Sequence, residues 1–138
     1  MTQPTAILTD AIHFVGDAIA TRLAAEGYAV YAVDQKFHDA EARTAFEALA
    51  DGITALMEQS AEDVVAHVES AHGRIDVLAS NDAYPAIRAS IDEITTVPLH
   101  ETFEALVFKP FAFASEVAKR MKPRGEGKIV FLTSAAPL

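Results

Sequence analysis

Four side chains with chemistry to offer each close a short apolar run: Thr9 after PTAIL, Asp34 after AVYAV, Asn81 after IDVLAS and Ser134 after KIVFLT. In an open parallel sheet the carboxyl ends of the strands face a common crevice, and ligands bind there. A hydroxyl such as that of Ser134 would point into such a crevice. An acid such as Asp34 can bind the ribose of an adenosine. Thr9 to Gly16 (TDAIHFVG) fills the first strand-to-helix turn. A turn that cradles a dinucleotide needs several glycines, because its backbone must approach the pyrophosphate. Here Gly16 alone remains, while Asp10 adds a negative charge and Phe14 a large ring, and both oppose a diphosphate. Each feature also has a plainer reading: an ordinary tight turn with a packed Phe14, turn chemistry at Asp34, and a structural serine at Ser134.

Other chemistries find little support. The chain has no cysteine, which removes disulfides, a thiol nucleophile and thiolate metal sites. Among the five histidines, His67 and His72 are five apart, a poor spacing for two ligands on one helix face, and no zinc-type motif occurs. No metal is expected. Asp92 and Glu93 read as a solvated helix start.

The elements that must position these residues alternate. Strands are expected at Pro4–Thr9, Ala29–Val33, Ile53–Met57, Ile75–Ser80 and Lys128–Thr133. Helices are expected from Gly16 to Glu26, with Ile19 and Leu23 on one face, and from Ala40 to Ala50, with Phe46 and Leu49 as the buried edge. A third runs from Ser60, whose spacing to Asp63 is that of a weak capping box, to Gly73. A fourth spans Pro98 to Met121, with Phe103, Leu106, Val107, Phe111 and Val117 as its apolar side and a kink at Pro110. Such alternation predicts an α/β, Rossmann-like, doubly wound parallel sheet of order 3-2-1-4-5. Only four residues follow Ser134, where a covering helix is expected. Residues 1–138 therefore read either as part of a single domain, incomplete at the C-terminus with its last strands and helices missing, or as a half that another chain completes.

Composition narrows the classes further. The 138 residues are 51% hydrophobic and 22% charged, enough to bury one core. A net charge of −9 opposes general binding to nucleic acid or to anionic membranes. Residues 1–69 carry 3 basic and 12 acidic side chains, and the later basic cluster Lys119, Arg120, Lys122, Arg124 and Lys128 suits a helix C-terminus. Neither a signal peptide nor a membrane span is visible, so a cytoplasmic location is expected.

Taken together, these residues resemble the N-terminal part of the short-chain dehydrogenase/reductase superfamily, and within it the halohydrin dehalogenases. Cofactor-dependent members carry Thr-Gly-x-x-x-Gly-x-Gly in the first turn. The dehalogenases carry Thr, four residues, an aromatic, one residue and Gly, as Thr9, Phe14 and Gly16 do here. Ser80-Asn81-Asp82-Ala83 resembles the dehalogenase Ser-Asn-Asp and departs from Asn-Asn-Ala-Gly. Val107 stands where many dehydrogenases have a catalytic Asn, and Phe131 to Pro137 resembles the strand of the catalytic serine.

The resemblance implies a cofactor-independent lyase that converts vicinal haloalcohols to epoxides and opens epoxides with halide, azide, cyanide or nitrite. It implies Ser134 as a catalytic residue of a Ser-Tyr-Arg triad. Phe14, Tyr84, Pro85 and Ala86 would wall the substrate and halide pocket, with Thr9, Asn81 and Asp82 in support. The Tyr and Arg of the triad would lie beyond Leu138, so this chain alone is expected to be inactive. A homotetramer pairing long helices is implied, and the crowding of Phe108, Phe111 and Phe113 leaves an aromatic face to spare. Two other readings stay open: a nicotinamide-dependent reductase, supported by Asp34, and a non-catalytic interaction domain.

Overall fold

The computed structural model describes residues 3–133. Strands and helices alternate: β1 Thr5–Leu8, α1 Gly16–Ala25, β2 Ala29–Asp34, α2 Ala40–Glu47, β3 Ile53–Met57, α3 Ala61–His72, β4 Val77–Ser80, then α4 Thr96–Phe103, α5 Lys109–Met121 and β5 Lys128–Phe131. The five strands make one parallel sheet of order β3-β2-β1-β4-β5, the Rossmann-like α/β arrangement that the alternation predicts. From β1 the chain winds outward to β3, then returns across the sheet to β4. The switch point, where the strand ends diverge, therefore lies between β1 and β4.

Both faces of the central strands are covered. Ile7 and Leu8 are neighbours in β1 and point to opposite faces, as the pleat requires. Ile7 joins Val64, Val65, Val68, Phe113 and Val117 under α3 and α5, whereas Leu8 joins Ala20, Phe37 and Phe46 under α1 and α2. Burying a side chain such as Phe113 or Val117 is worth about 2 kcal/mol. Helix entry is chemical as well as hydrophobic. The Ser60 hydroxyl accepts from the Asp63 N–H at 3.1 Å and donates to the Asp63 carboxylate at 2.8 Å, completing the cap. Gly73 ends α3 with φ 72°, a left-handed conformation that favours glycine.

At the amino ends of the strands, Asp76 ties three elements together. Its carboxylate accepts from the Thr5 N–H at 2.8 Å, from the Arg74 Nε at 2.8 Å and from the Arg124 Nη2 at 3.0 Å. Its backbone N–H donates to the Thr5 carbonyl at 2.9 Å, and its carbonyl accepts from the Lys128 N–H at 2.9 Å. Burial alone would raise its pKa. The Arg74, Thr5 and Arg124 donors more than offset this and hold it at about 2.

Several elements differ from the sequence reading. β4 begins at Val77 instead of Ile75, because Asp76 turns its side chain to Thr5 and Arg74. α2 stops at Glu47, short of Ala50, and Leu49 stands 45% exposed, so Phe46 alone forms the buried edge. The long helix begins at Thr96, ahead of Pro98. At the expected kink it widens into a π turn over Glu104–Phe108 before α5 begins. Pro110 has no N–H to give the turn before it, and its ring crowds the carbonyl four residues back; the wider turn accommodates both. Val117 is buried as expected, but Phe103, Leu106, Val107 and Phe111 are exposed, and Phe113 and Met121 take the inward positions. Among the described residues nothing covers that outer face. β5 is likewise mostly exposed, since β4 is its one neighbour among the described residues. No helix among them is long and apolar enough to cross a membrane.

Candidate functional site at the β1–β4 crevice

The first turn is held from three sides. Thr9 N–H donates to the Ala79 carbonyl at 3.1 Å, and Thr9 Oγ1 accepts from Asn81 N–H at 3.1 Å. The Asn81 side-chain amide then donates to the carbonyls of Asp10 and His13, at 3.1 and 2.8 Å. These bonds lock the ends of β1 and β4 together. Asp10 and Phe14 have φ of 44° and 53°, conformations that cost a side-chain-bearing residue roughly 1–2 kcal/mol. They occupy two of the three positions where the dinucleotide-binding form of this turn has glycine; Gly16 keeps the third. The backbone conformation that glycine favours is present, and side chains stand on it. Gly16 has no such latitude, because a Cβ there would lie 2.0 Å from the Ala11 carbonyl oxygen.

Asp34 is 1% exposed and both its oxygens are engaged within the protein. Oδ1 accepts from the Lys36 N–H at 2.8 Å, and Oδ2 accepts from the Ile12 N–H at 3.1 Å and lies 3.4 Å from His13 Nδ1. The acid that could receive a ribose thus braces the first turn.

Beside the turn lies a cavity of about 420 Å3, lined chiefly by apolar groups. Phe14 and Tyr84, two of the four residues expected to wall a pocket, line it, and so does Asp82. Pro85 instead faces a second cavity of about 840 Å3, and Ala86 lines neither. The segment from Asn81 to Ser90 runs without helix or strand, and its path carries Pro85 across the rim. Leu106, Pro110, Phe131, Leu132 and Thr133 also line the first cavity, with Ser80 and Ala83 beside Asp82. Leu106 and Pro110 come from the π turn and the start of α5, a placement that no local sequence pattern signals. Ser134 lies outside the described residues; Thr133, its neighbour, reaches the cavity wall.

Tyr84 lines both cavities, and its hydroxyl donates to Glu101 Oε2 at 2.5 Å. That bond to a carboxylate raises the phenol's pKa above its ordinary value, so Tyr84 is poorly suited to act as a base near neutral pH.

The most concentrated electrostatics belong to Lys109. Its ammonium lies 2.8 Å from Asp10 Oδ1, 2.9 Å from Glu58 Oε1 and 3.3 Å from Asp82 Oδ1. The last contact is one of charge, not an aligned hydrogen bond. Burial alone would lower the lysine pKa, but the bonds to Asp10 and Glu58 and the nearby Asp82 push it well above the ordinary value. Asp82 also accepts from the Ser80 hydroxyl, and Asp10 Oδ2 accepts from the Ala83 N–H at 3.0 Å. Asp82 thus joins the end of β4 to Lys109. Lys109 and Glu58 are additions to the sequence-derived site. Among the described residues no cluster of three or more His, Asp or Glu is arranged to hold a metal.

Comparison with known proteins places this geometry. The chain is 30% identical over 142 residues to human dehydrogenase/reductase SDR family member 4, covering 99% of this chain and 51% of that protein. It is similar to a solved halohydrin dehalogenase (HheC) bound to ethyl (2S)-oxiran-2-ylacetate, with 38% identity and a TM-score of 0.88 over 96% of this chain and 53% of that one. A structure described as a dehalogenation enzyme matches at 34% identity and a TM-score of 0.86, over 99% and 56% of the two chains. The chain thus spans about half the length of these relatives. A sequence model of the short chain dehydrogenase family matches residues 4–138, and the chain belongs to that family.

Proposed function

We propose that the protein carrying this chain is a cofactor-independent halohydrin dehalogenase. The observation that carries this reading is Phe14: a large ring on a left-handed backbone position of the first turn, lining an apolar cavity beside β4. Asp10, four residues earlier, adds a buried carboxylate where a diphosphate would need bare backbone. Asp34 is already engaged by the turn. The likenesses to the two dehalogenation enzymes point the same way.

In this reading Ser134 orients the substrate hydroxyl in the crevice. A tyrosine supplied by the complete protein, with its pKa lowered by an arginine, takes the hydroxyl proton. The substrate oxygen then forms the epoxide C–O bond as the carbon–halogen bond breaks, and the halide leaves with the bonding pair. Phe14 and Tyr84 wall the space that receives it. The chain's tyrosines are Tyr28, Tyr31 and Tyr84, all ahead of Ser134, so residues 1–138 alone are inactive in this scheme. The exposed Phe103, Val107, Phe108 and Phe111 would serve a homotetramer interface.

A second reading, a nicotinamide-dependent reductase, draws on Asp34 and on the human relative. Halide release from a simple haloalcohol by the complete protein, with and without NADPH, separates the two. Release that ignores NADPH and is abolished by Ser134→Ala supports the dehalogenase. Saturable NADPH binding with carbonyl reduction, and no halide release, overturns it.

A further inference from the structure

Three strand ends and one helix meet at a single ammonium. Asp10 follows β1, Glu58 follows β3 and Asp82 follows β4, and Lys109 opens α5. The carboxylates of Asp10, Glu58 and Asp82 are 11%, 16% and 3% exposed, so water screens them poorly. Three carboxylates against one ammonium leave two formal negative charges at the crevice. The two walls of the smaller cavity hang from this cluster. Asp10 sits in the turn that carries Phe14, and it also holds the Ala83 N–H, next to Tyr84. Asp82 itself lines the cavity. Lys109 lies on the acidic side, facing the larger cavity, while Pro110, the next residue, lines the apolar one.

We propose that Lys109 is a positioning residue: it clamps Asp10 to Asp82, keeps the Phe14 turn and the Asp82–Tyr84 segment on one cavity wall, and offsets part of the Asp82 charge so that a small anion is tolerated beside it. The clamp stands on the contacts alone. The tolerance of an anion rests on the dehalogenase reading.

Without the ammonium, Asp10 and Asp82 repel. The segment 81–90 has no helix or strand bonds of its own to resist this. A charged Asp82 would then face the cavity without its counter-ion. Arginine at position 109 restores the charge and can bridge two carboxylates.

The test uses Lys109→Met, Lys109→Arg and Lys109→Met/Asp82→Asn in the complete protein. Amide hydrogen exchange is read for segments 9–16 and 81–90, with α3 as an internal reference. Lys109→Met is expected to speed exchange in both segments about tenfold while α3 is unchanged, and Lys109→Arg to restore most of the protection. With a haloalcohol substrate, Lys109→Met is expected to weaken product inhibition by bromide about tenfold with a smaller fall in kcat. The added Asp82→Asn change should return bromide inhibition towards wild type. Unchanged exchange in both segments, or faster exchange spread equally over α3, overturns the clamp. If Lys109→Met does not fold, Asp82→Asn alone must loosen 81–90 and spare 9–16, and unchanged exchange in 81–90 overturns the proposal. If the wild-type protein releases no halide, the dehalogenase reading fails, and the exchange pattern still decides the clamp.

Discussion

Replacing Asp76 by Asn should cost stability in a way that depends on pH. The substitution keeps the side-chain volume and leaves one oxygen to accept the Thr5 N–H, but puts an NH2 where Oδ1 accepts from Arg74 and Arg124, so the charge is lost together with those charge-assisted bonds. The carboxyl is held at about 2 in the folded protein, against an ordinary 3.8, and its side chain is 13% exposed. At about 1.4 kcal/mol for each tenfold in acidity, its ionised form contributes about 2 kcal/mol. The sign follows from linkage. A depressed folded pKa means stability that is fully present above the unfolded value and lost as pH falls through the folded one. Urea unfolding of wild type and Asp76→Asn should therefore differ by about 2 kcal/mol near neutral pH. The gap should hold down to about pH 5, narrow between about pH 4 and 2, and nearly close below that. An equal gap at neutral pH and at about pH 2 would refute the electrostatic account and assign the loss to geometry.

Three other outcomes follow from the crevice. Gly16→Ala should destabilise by roughly 3 kcal/mol or more, seen as a lower Tm, because its Cβ would meet the Ala11 carbonyl at 2.0 Å. Phe14→Gly removes an exposed ring and relieves a left-handed backbone, so stability should stay within about 1 kcal/mol of wild type. On the proposed dehalogenase reading, haloalcohol turnover by the complete protein should nonetheless fall about tenfold or more, since positioning within the pocket is lost. Glu101→Gln should bring the ultraviolet titration of Tyr84 down towards 10.0, because the carboxylate that opposes its ionisation is gone.

The sheet was legible because its strands are short apolar runs bounded by Gly, Asp and Ser, and because covered strands need little else. β3 emerges as Ile53–Met57 from that pattern alone. The outer face of α4 and α5 misleads for a physical reason. Phe103 and Phe111 have the spacing of core residues, yet Phe111 is 71% exposed, since apolar periodicity records that a face is to be covered and not what covers it. Phe14 was legible as a departure from a glycine pattern. Lys109 was not, because its partners lie 27, 51 and 99 residues away in sequence and no local spacing links them. Pro85 and Ala86 miss the smaller cavity because a segment without secondary structure has no period from which to read direction.

The π turn at Glu104–Phe108 also fixes a phase. Such a turn carries one residue more than the α-helix would, and each residue of an α-helix is worth about 100° of rotation. The faces of α4 and α5 are therefore offset from those of an uninterrupted helix. Deleting one residue within 104–108 would turn α4 by about that angle relative to α5, moving Phe103 and Glu101 while Lys109, Phe113 and Val117 keep their seats. Glu101 would then leave Tyr84. The spacing of the aromatic face from the carboxylate cluster is in this sense a property of chain length, as sensitive to an insertion or deletion as to any substitution.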